Sequence, residues 1–401
     1  MRKRLLPLTL KHVRPFASSA APPPCLVLSN GVVGAEKQAL ALASAVGLPY
    51  AVKPVWADGS IRAWRPFLAA LPSRALLALN ALGGARLSGL LTPSPPYPRL
   101  AISCGRAAAA AAALLREASG GATLTVHVQR PPESCGDFDL VVAPRHDFGE
   151  GAAPENVVLT EGSLHQINSA TLDAARVEWA EELKGFEHGS LAVLVGGAVS
   201  RRPWQRPLAP TLTAEDATAL AWRIVGGAKQ PPRPAMVSTS RRTPQHARDA
   251  IKSALSPTVE SHGWGPVRSW VWDPPPPPPP EPTATATTTA EPMPKAPANP
   301  YLAFLAAAEY ILVTADSINM VCEAVGTGKP VYVLRPEATR GRFKAFHDRM
   351  LALGHTRRLP EKGDLEPPEL WIATPPDDTG RAAARVRELL RARFGDGVLR
   401  A

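Results

Sequence analysis

Short apolar runs alternate with longer amphipathic segments along most of the chain. Cys25–Ser29 is an apolar run typical of a buried strand, and a helical pattern through Glu36 to Val46 follows it after Asn30-Gly31. Strands alternating with helices predict a parallel sheet with helices on both faces. The other elements predicted in the first half are strands at Leu100–Ser103, Ala122–Val128, Phe138–Ala143 and Val157–Leu159, and a helix at Ala107–Ala118.

The same alternation begins again at Ser190. Ile311 to Leu334 has the pattern of a strand, a turn, a helix and a second strand. The fold class that follows is α/β, with two Rossmann-like parallel-sheet domains facing a cleft. The other elements predicted in this half are strands at Leu191–Val195, Ala235–Thr239 and Arg268–Trp272, and helices at Ala214–Val225, Pro244–Leu255, Tyr301–Glu309 and Thr379–Phe394.

This pattern predicts a basic leader at 1–24, an N-terminal α/β domain at 25–185, a C-terminal α/β domain at 186–360, and a tail with a helix at 361–401. Proline changes one part of the picture, because many of the 45 prolines cluster in residues 273–298. The strand before this segment and the helix after it belong to one alternating series, so it is interpreted as an insertion in a surface loop, which costs little loop-closure entropy. A proline-rich ligand for a partner domain is the alternative.

Charge is concentrated at the start of the chain. The net charge is +10, yet no Asp or Glu precedes Glu36, and Met1 to Pro24 is rich in Lys and Arg. Arg14-Pro-Phe16 followed by Ala-Ser-Ser resembles a site of mitochondrial processing after Phe16, so the leader is interpreted as a transit peptide. The alternative is a basic disordered tail.

Several classes of protein are disfavoured. No basic stripe is interleaved with aromatic residues, which argues against nucleic-acid binding. The four cysteines are far apart, and the histidines are scattered, so neither a disulfide framework nor a metal site is predicted. No apolar run approaches the roughly 20 residues that a transmembrane helix needs.

Candidate ligand contacts follow the predicted strands, because open α/β sheets bind ligands outside the carboxyl ends of their strands. In the first half, Asn30, Ser103 and Arg106 are predicted to line the cleft. His146 and Asp147 are candidates for a general base and its orienting carboxylate. The alternative is that Asp147 bonds local backbone while His146 only lines the cleft.

In the second half, a phosphate site is predicted at a helix start. Ser240, Arg241, Arg242 and Thr243 precede Pro244, so free backbone N–H groups and two guanidinium groups would meet there. The alternative is a solvated basic turn with a helix cap. The pair Gly196-Gly197 allows close backbone approach by a ligand, although a tight turn is an equal explanation.

The turn after Ile311–Thr314 supplies the remaining candidates. Asp316 or Ser317 can cap the helix that follows, and Thr314 precedes them. Asp316, Asn319 and Glu323 fall at i, i+3 and i+7 on one polar stripe, where a carboxylate could meet ribose hydroxyls. The alternative is an exposed Glu323 paired with Lys329.

A series of motifs in this order resembles the "elongated mitochondria" family of mitochondrial-fission proteins, with plant and bacterial members. That family is in turn similar to the GT-B glycosyltransferases. The motifs are Gly34-Ala-Glu-Lys-Gln-Ala-Leu40, Ser103-Cys-Gly-Arg106, Phe138-Asp139 with His146-Asp147, Gly196-Gly197, Ser240-Arg-Arg-Thr-Pro244, Asn299-Pro-Tyr301, and Thr314-Ala-Asp-Ser-Ile-Asn-Met320 through Gly328-Lys-Pro330.

The resemblance implies two functions. One is a mitochondrial morphology factor, peripherally associated with mitochondria, that helps to recruit a dynamin-type fission GTPase. The other is a glycosyltransferase or a binder of a nucleotide sugar of the UDP type, with Gly196, Gly197, Ser317 and Glu323 as donor contacts and Glu323 on the ribose. The resemblance itself identifies no catalytic base. A cleaved leader would place the protein in the matrix, and the role of the plant members implies the outer surface.

Overall fold

Two six-stranded parallel sheets organise the described part of the chain, one in each of two units. Unit 1 comprises the described residues up to Gln166 and those from Pro376 on, and unit 2 comprises those from Ile167 to Pro375. The predicted leader and proline-rich insertion lie outside the described residues, apart from their flanks. The computed structural model describes residues 23–55, 95–131, 134–149, 151–197, 208–210, 212–225, 233–256, 268–274, 298–359, 371 and 373–400, without the side chains of Arg106, Ala107, Val225 and Arg400.

The strands of unit 1 lie in the order β2-β1-β3-β4-β5-β6, and all pairs are parallel. The central strands are apolar and buried along their whole length, as expected for a sheet with helices on both faces. In chain order the strands are β1 Cys25–Ser29, β2 Tyr50–Pro54, β3 Leu100–Cys104, β4 Leu124–Val128, β5 Leu140–Pro144 and β6 Val157–Thr160.

The strands of unit 2 lie in the order β12-β11-β10-β7-β8-β9, again all parallel. Numbered within the unit, this is the 3-2-1-4-5-6 order of dinucleotide-binding sheets. The prediction of two Rossmann-like parallel-sheet domains is confirmed for each unit. The strands are β7 Leu191–Val195, β8 Ala235–Thr239, β9 Ser269–Trp272, β10 Tyr310–Thr314, β11 Val331–Leu334 and β12 Arg357–Arg358.

The α-helices of the described ranges cover both faces of each sheet. In unit 2, one face packs against α3, α6, α7 and α8, and the other packs against α4 and α5. No described helix is both long enough and apolar enough to cross a bilayer. In chain order the helices are α1 Val33–Val46, α2 Arg106–Ala118, α3 Ser169–Glu178, α4 Ala214–Val225, α5 Gln245–Ala254, α6 Tyr301–Ala307, α7 Ile318–Val325, α8 Gly341–Ala352 and α9 Asp378–Phe394.

Helix α9 belongs to unit 1, although it follows unit 2 in the sequence. It packs beside α1 on one face of the sheet, and α2 covers the other face. Val386 and Leu390 on α9 are fully buried among core residues of β1, β3 and β4. The sequence analysis assigned this helix to a separate tail, but its apolar stripe completes the core of the first sheet.

Polar contacts fix α9 at both ends. The Asp378 carboxylate accepts the backbone N–H groups of Glu161 and Gly162 at 2.8 and 3.0 Å. At the other end, the Arg393 guanidinium donates to Asp139 at 2.9 Å. Burial raises the pKa of Asp139, but hydrogen bonds and charge from Arg393, together with Thr125, outweigh it and hold that pKa below its ordinary value.

Helix α3, which the sequence analysis did not predict, lies in unit 2, although its residues fall within the N-terminal domain predicted at 25–185. Leu172 and Trp179 pack in the same core as Phe304 of α6. Arg176 donates to the carbonyl of Ala306 at 2.8 Å. The division between the units therefore falls at Gln166–Ile167, before the helix rather than after it.

Candidate functional site

Three loops meet at the carboxyl edge of the unit 2 sheet, where strand order reverses between β7 and β10. The neighbouring strands β7 and β10 lead into connections that run in opposite directions, which is where open α/β sheets form ligand sites. We call this set of residues the three-loop junction. Its members are Gly196 and Gly197 after β7, Ser240, Arg241, Arg242 and Thr243 after β8, and Thr314, Asp316 and Ser317 at the end of β10.

Thr314 joins the loop after β7 to the loop after β10. Its hydroxyl accepts the Gly196 backbone N–H at 2.8 Å and donates to Asp316 Oδ1 at 2.6 Å. A Cβ atom added to Gly196 would lie 2.9 Å from Asp316 Cγ, so glycine is needed for the carboxyl group to approach the backbone. The close approach that the sequence predicted for a ligand is made here by the protein's own carboxylate.

Thr243 joins the loop after β7 to the loop after β8. Its hydroxyl lies 2.9 Å from the Val195 carbonyl and 2.5 Å from the Gly196 carbonyl, and it accepts the Ser240 N–H at 2.9 Å. A Cβ on Gly197 would lie 2.6 Å from the Thr243 nitrogen and closer still to the Arg242 carbonyl. The glycine pair therefore allows two backbone segments to touch.

The junction contains one buried acid and two exposed cations. Asp316 is only 2% exposed, and burial raises its pKa, although the Thr314 hydroxyl and the charge of Arg242 act in the opposite direction. Arg241 and Arg242 are exposed, and neither guanidinium makes a hydrogen bond or ion pair with any described residue. The junction thus presents two positive charges to solvent and holds a carboxyl group in its interior.

Neither predicted side-chain cap is present. Helix α5 begins at Gln245 after Pro244, and the Thr243 hydroxyl is committed to the β7 carbonyls rather than to the helix start. Ser317 precedes α7 but makes no capping hydrogen bond. The Ser317 hydroxyl therefore does not cap the first turn of α7. An anion can bind at a helix start only where the residue before the helix leaves room for it.

The polar stripe on α7 is divided by burial. Asp316 lies inside the junction, whereas Asn319 and Glu323 are partly exposed. The Tyr301 hydroxyl donates to Glu323 Oε2 at 2.6 Å. Lys329, the alternative partner, instead donates to the Leu305 and Ala306 carbonyls at the end of α6, at 2.7 and 2.6 Å.

Tyr301 was missed as a site residue, since nothing in a sequence pattern places it against Glu323. The motif Asn299-Pro-Tyr301 carried the only signal, because Asn299 accepts the Tyr301 backbone N–H at 2.9 Å and so fixes the start of α6.

The candidate residues of unit 1 are not equally available. The Ser103 hydroxyl is fully buried and lies 2.8 Å from His127 Nδ1, so the geometry does not support a cleft-lining role. Burial lowers the pKa of His127 to about 3, which keeps this pair neutral. Asn30 packs beside Gly105 at the edge of the sheet, and Arg106 is the first residue of α2.

Next to Asn30, the Ser29 hydroxyl donates to the Glu36 carboxylate. The sequence analysis did not select this pair. A serine that ends a strand, with a glutamate in the first turn of the following helix, was the available signal.

His146 and Asp147 lie in a 3-10 turn, Arg145–Asp147, after β5. His146 Nε2 and Asp147 Oδ1 are 3.9 Å apart, which is too long for the hydrogen bond of a base and its orienting acid. Arg130 donates to the backbone carbonyl of Asp147 at 2.8 Å, a contact that bears on neither interpretation of the Asp147 side chain.

Solved structures similar to this chain include three with low identity and modest superposition. MurG of Acinetobacter baumannii is 12% identical, with a TM-score of 0.41 and 93% of each chain covered. Os79 of O. sativa, in complex with UDP, is 12% identical, with a TM-score of 0.45 and 93% and 92% covered. Anabaena Alr3699/HepE, in complex with UDP-glucose, is 14% identical, with a TM-score of 0.39 and 94% and 92% covered.

Two curated relatives are similar in sequence. The mitochondrial fission protein ELM1 of Arabidopsis thaliana is 27% identical over 316 residues, which is 74% of this chain. The uncharacterized protein RP120 of Rickettsia prowazekii (strain Madrid E) is 25% identical over 268 residues, which is 60% of this chain. Each match spans 65% of the relative's own length.

The family model described as mitochondrial fission ELM1 matches residues 33–273 and 281–390, which include most of both units. The interruption falls in the predicted proline-rich insertion. By this match the chain belongs to the mitochondrial fission ELM1 family.

Proposed function

We propose that this protein is a mitochondrial fission factor and that its unit 2 binds a nucleotide sugar of the UDP type. Family membership supports the first part. The three-loop junction supports the second. The two parts make separate predictions and are tested separately.

As a fission factor, the protein associates peripherally with the outer surface of mitochondria and helps to recruit a dynamin-type fission GTPase. The relative from Arabidopsis thaliana carries a fission name, and this chain is similar to it over 74% of its own length. The basic leader then acts as a retained targeting segment rather than as a cleaved matrix presequence.

The side of the membrane can be measured directly. In intact mitochondria, we expect external protease to digest the protein and N-terminal sequencing to find the leader retained. Loss of the protein should elongate mitochondria, and the full chain should restore their length. A mature N-terminus near Ala17, together with protection from protease, would exclude recruitment of an outer-surface GTPase.

The observation that carries the nucleotide site is the pair of guanidinium groups beside an uncapped helix start. Arg241 and Arg242 lie on the loop after β8, which is bonded to the loop after β7. Helix α7 begins after Ser317 and follows β10, the strand that pairs with β7. Guanidinium donors and the positive end of a helix together match the charge of a diphosphate.

Loss of the two arginines should weaken UDP binding strongly. We expect the Arg241→Ala/Arg242→Ala double variant of the full chain to bind UDP about 10–100-fold more weakly in calorimetric titration, because hydrogen bonds to charged groups contribute about 1.5–3 kcal/mol. Both side chains are exposed, so the fold should be retained.

The control for the loss of a surface arginine is Arg385→Ala on α9, whose guanidinium pairs with Glu388 at 2.6 Å on the surface of unit 1. This variant should bind UDP like the unaltered protein. Equal UDP affinity in the double variant and the control would contradict the proposed site, as would the absence of UDP and UDP-sugar binding by the unaltered chain.

A further inference from the structure

Tyr301 makes a buried contact with the one acid on the exposed stripe of α7. Its side chain is 8% exposed, and its hydroxyl donates to Glu323 Oε2 at 2.6 Å. The backbone of Tyr301 is held by Asn299, and its ring packs in the core shared by α6 and α7. The donor is therefore fixed at both its backbone and its ring.

The choice of tyrosine matters for the charge of Glu323. Lys329 is bound to the Leu305 and Ala306 carbonyls, so this lysine does not neutralise the carboxylate. Burial and the neighbouring charge of Glu323 raise the pKa of Tyr301 well above its ordinary value. The hydroxyl consequently keeps its proton and stays a donor throughout the physiological range.

The position of Glu323 fits a ligand that extends from the helix start. Glu323 lies six residues after Ser317, which is about 9 Å along the axis of α7 at 1.5 Å per residue. A phosphate at the helix start would place the sugar of a nucleotide further along the helix. A carboxylate at that point can accept hydrogen bonds from two vicinal hydroxyls.

We propose that Tyr301 is a positioning residue, which orients the Glu323 carboxylate toward the ribose hydroxyls of the nucleotide bound at the three-loop junction. The inference rests on the proposed nucleotide site. The Tyr301 hydroxyl occupies one carboxylate oxygen and limits rotation of the carboxylate before ligand arrives. Ordering the Glu323 side chain before the nucleotide binds increases the affinity for the nucleotide by about 2–10-fold.

The test compares UDP with 2′-deoxy-UDP in calorimetric titrations of the full chain. We expect the unaltered protein to prefer UDP by about tenfold, the worth of one hydrogen bond to a charged group. The Tyr301→Phe variant keeps the ring and loses only the donor. It should bind 2′-deoxy-UDP as before and lose most of the preference for UDP.

Two further variants separate positioning from packing. Glu323→Gln leaves Tyr301 in place and should also lose the UDP preference, which keeps the test decisive if Tyr301→Phe folds poorly. Tyr50→Phe is the matched control, because its hydroxyl lies 3.4 Å from Ser44 Oγ in unit 1. The control should keep the UDP preference unchanged.

Each outcome is decisive. A preference retained in either Tyr301→Phe or Glu323→Gln would overturn the positioning role, and the nucleotide site would stand. Equal weakening of both nucleotides in Tyr301→Phe would show a structural role and also overturn it. No binding of UDP by the unaltered protein would overturn the nucleotide site and this inference together.

Discussion

Replacing Leu390 by alanine is expected to destabilise unit 1 by about 2–5 kcal/mol, the usual cost of emptying a fully buried leucine site. Leu390 is completely buried between α9 and the first sheet, in the same core as Val27 and Ile102. Hydrogen exchange should report the effect, with faster exchange of amides in β1 and β3 and unchanged exchange in β7 and β10.

The neighbouring residue gives the control. Leu389 on the same helix is only partly buried, so Leu389→Ala removes the same atoms at a smaller cost. Equal losses of stability from the two substitutions, or faster exchange confined to unit 2, would show that α9 does not complete the first core.

Gly197→Ala is expected to destabilise unit 2 by about 3 kcal/mol, at the upper end of the usual cost of overpacking. The added methyl group would meet the backbone of Arg242 and Thr243, and neither can move like a flexible side chain. The Thr243 hydrogen bonds to β7 would have to lengthen. Chemical denaturation of the variant, followed by tryptophan fluorescence, with Trp270 partly buried against the core of unit 2, measures the loss.

Gly397→Ala is the matched control, because a Cβ there meets no atom within 4 Å. It should change the free energy of unfolding by less than about 1 kcal/mol. A Gly197→Ala variant as stable as this control would mean that the loops after β7 and β8 are not held in contact.

The alternating elements of both sheets could be predicted from the sequence, because a strand buried on both faces is a continuous apolar run. Leu191–Val195 and Ala235–Thr239 were predicted with their observed bounds. Strand β2 was missed. Lys53 and Pro54 interrupt its pattern, and it lies at the edge of the sheet, where such residues are tolerated.

The assignment of helices to units could not be predicted in the same way. The stripe of Val386, Leu389 and Leu390 on α9 shows that the helix needs an apolar partner, but it does not identify the sheet. Helix α3 likewise follows the strands of unit 1 in sequence and packs in unit 2. Only tertiary packing decides these placements.

The sequence identified the loops of the candidate site better than the contacts within them. Parallel strands bring their carboxyl ends to one edge, which is why Gly196, Thr243 and Thr314 could be grouped in advance. The roles of Asp316 and Tyr301 depend on distances between separate loops and helices, and no spacing rule encodes those. Whether these groups bind a nucleotide stays a prediction.

The return of α9 to unit 1 has a consequence during synthesis on the ribosome. The strands of unit 1 emerge first, but residues 167–375 must be translated before α9, which completes the cover that α1 begins on one sheet face. At about 5–20 residues per second, this interval lasts roughly 10–40 s. Through that time the first sheet exposes the part of its apolar face that α1 leaves uncovered, and a chaperone can bind there.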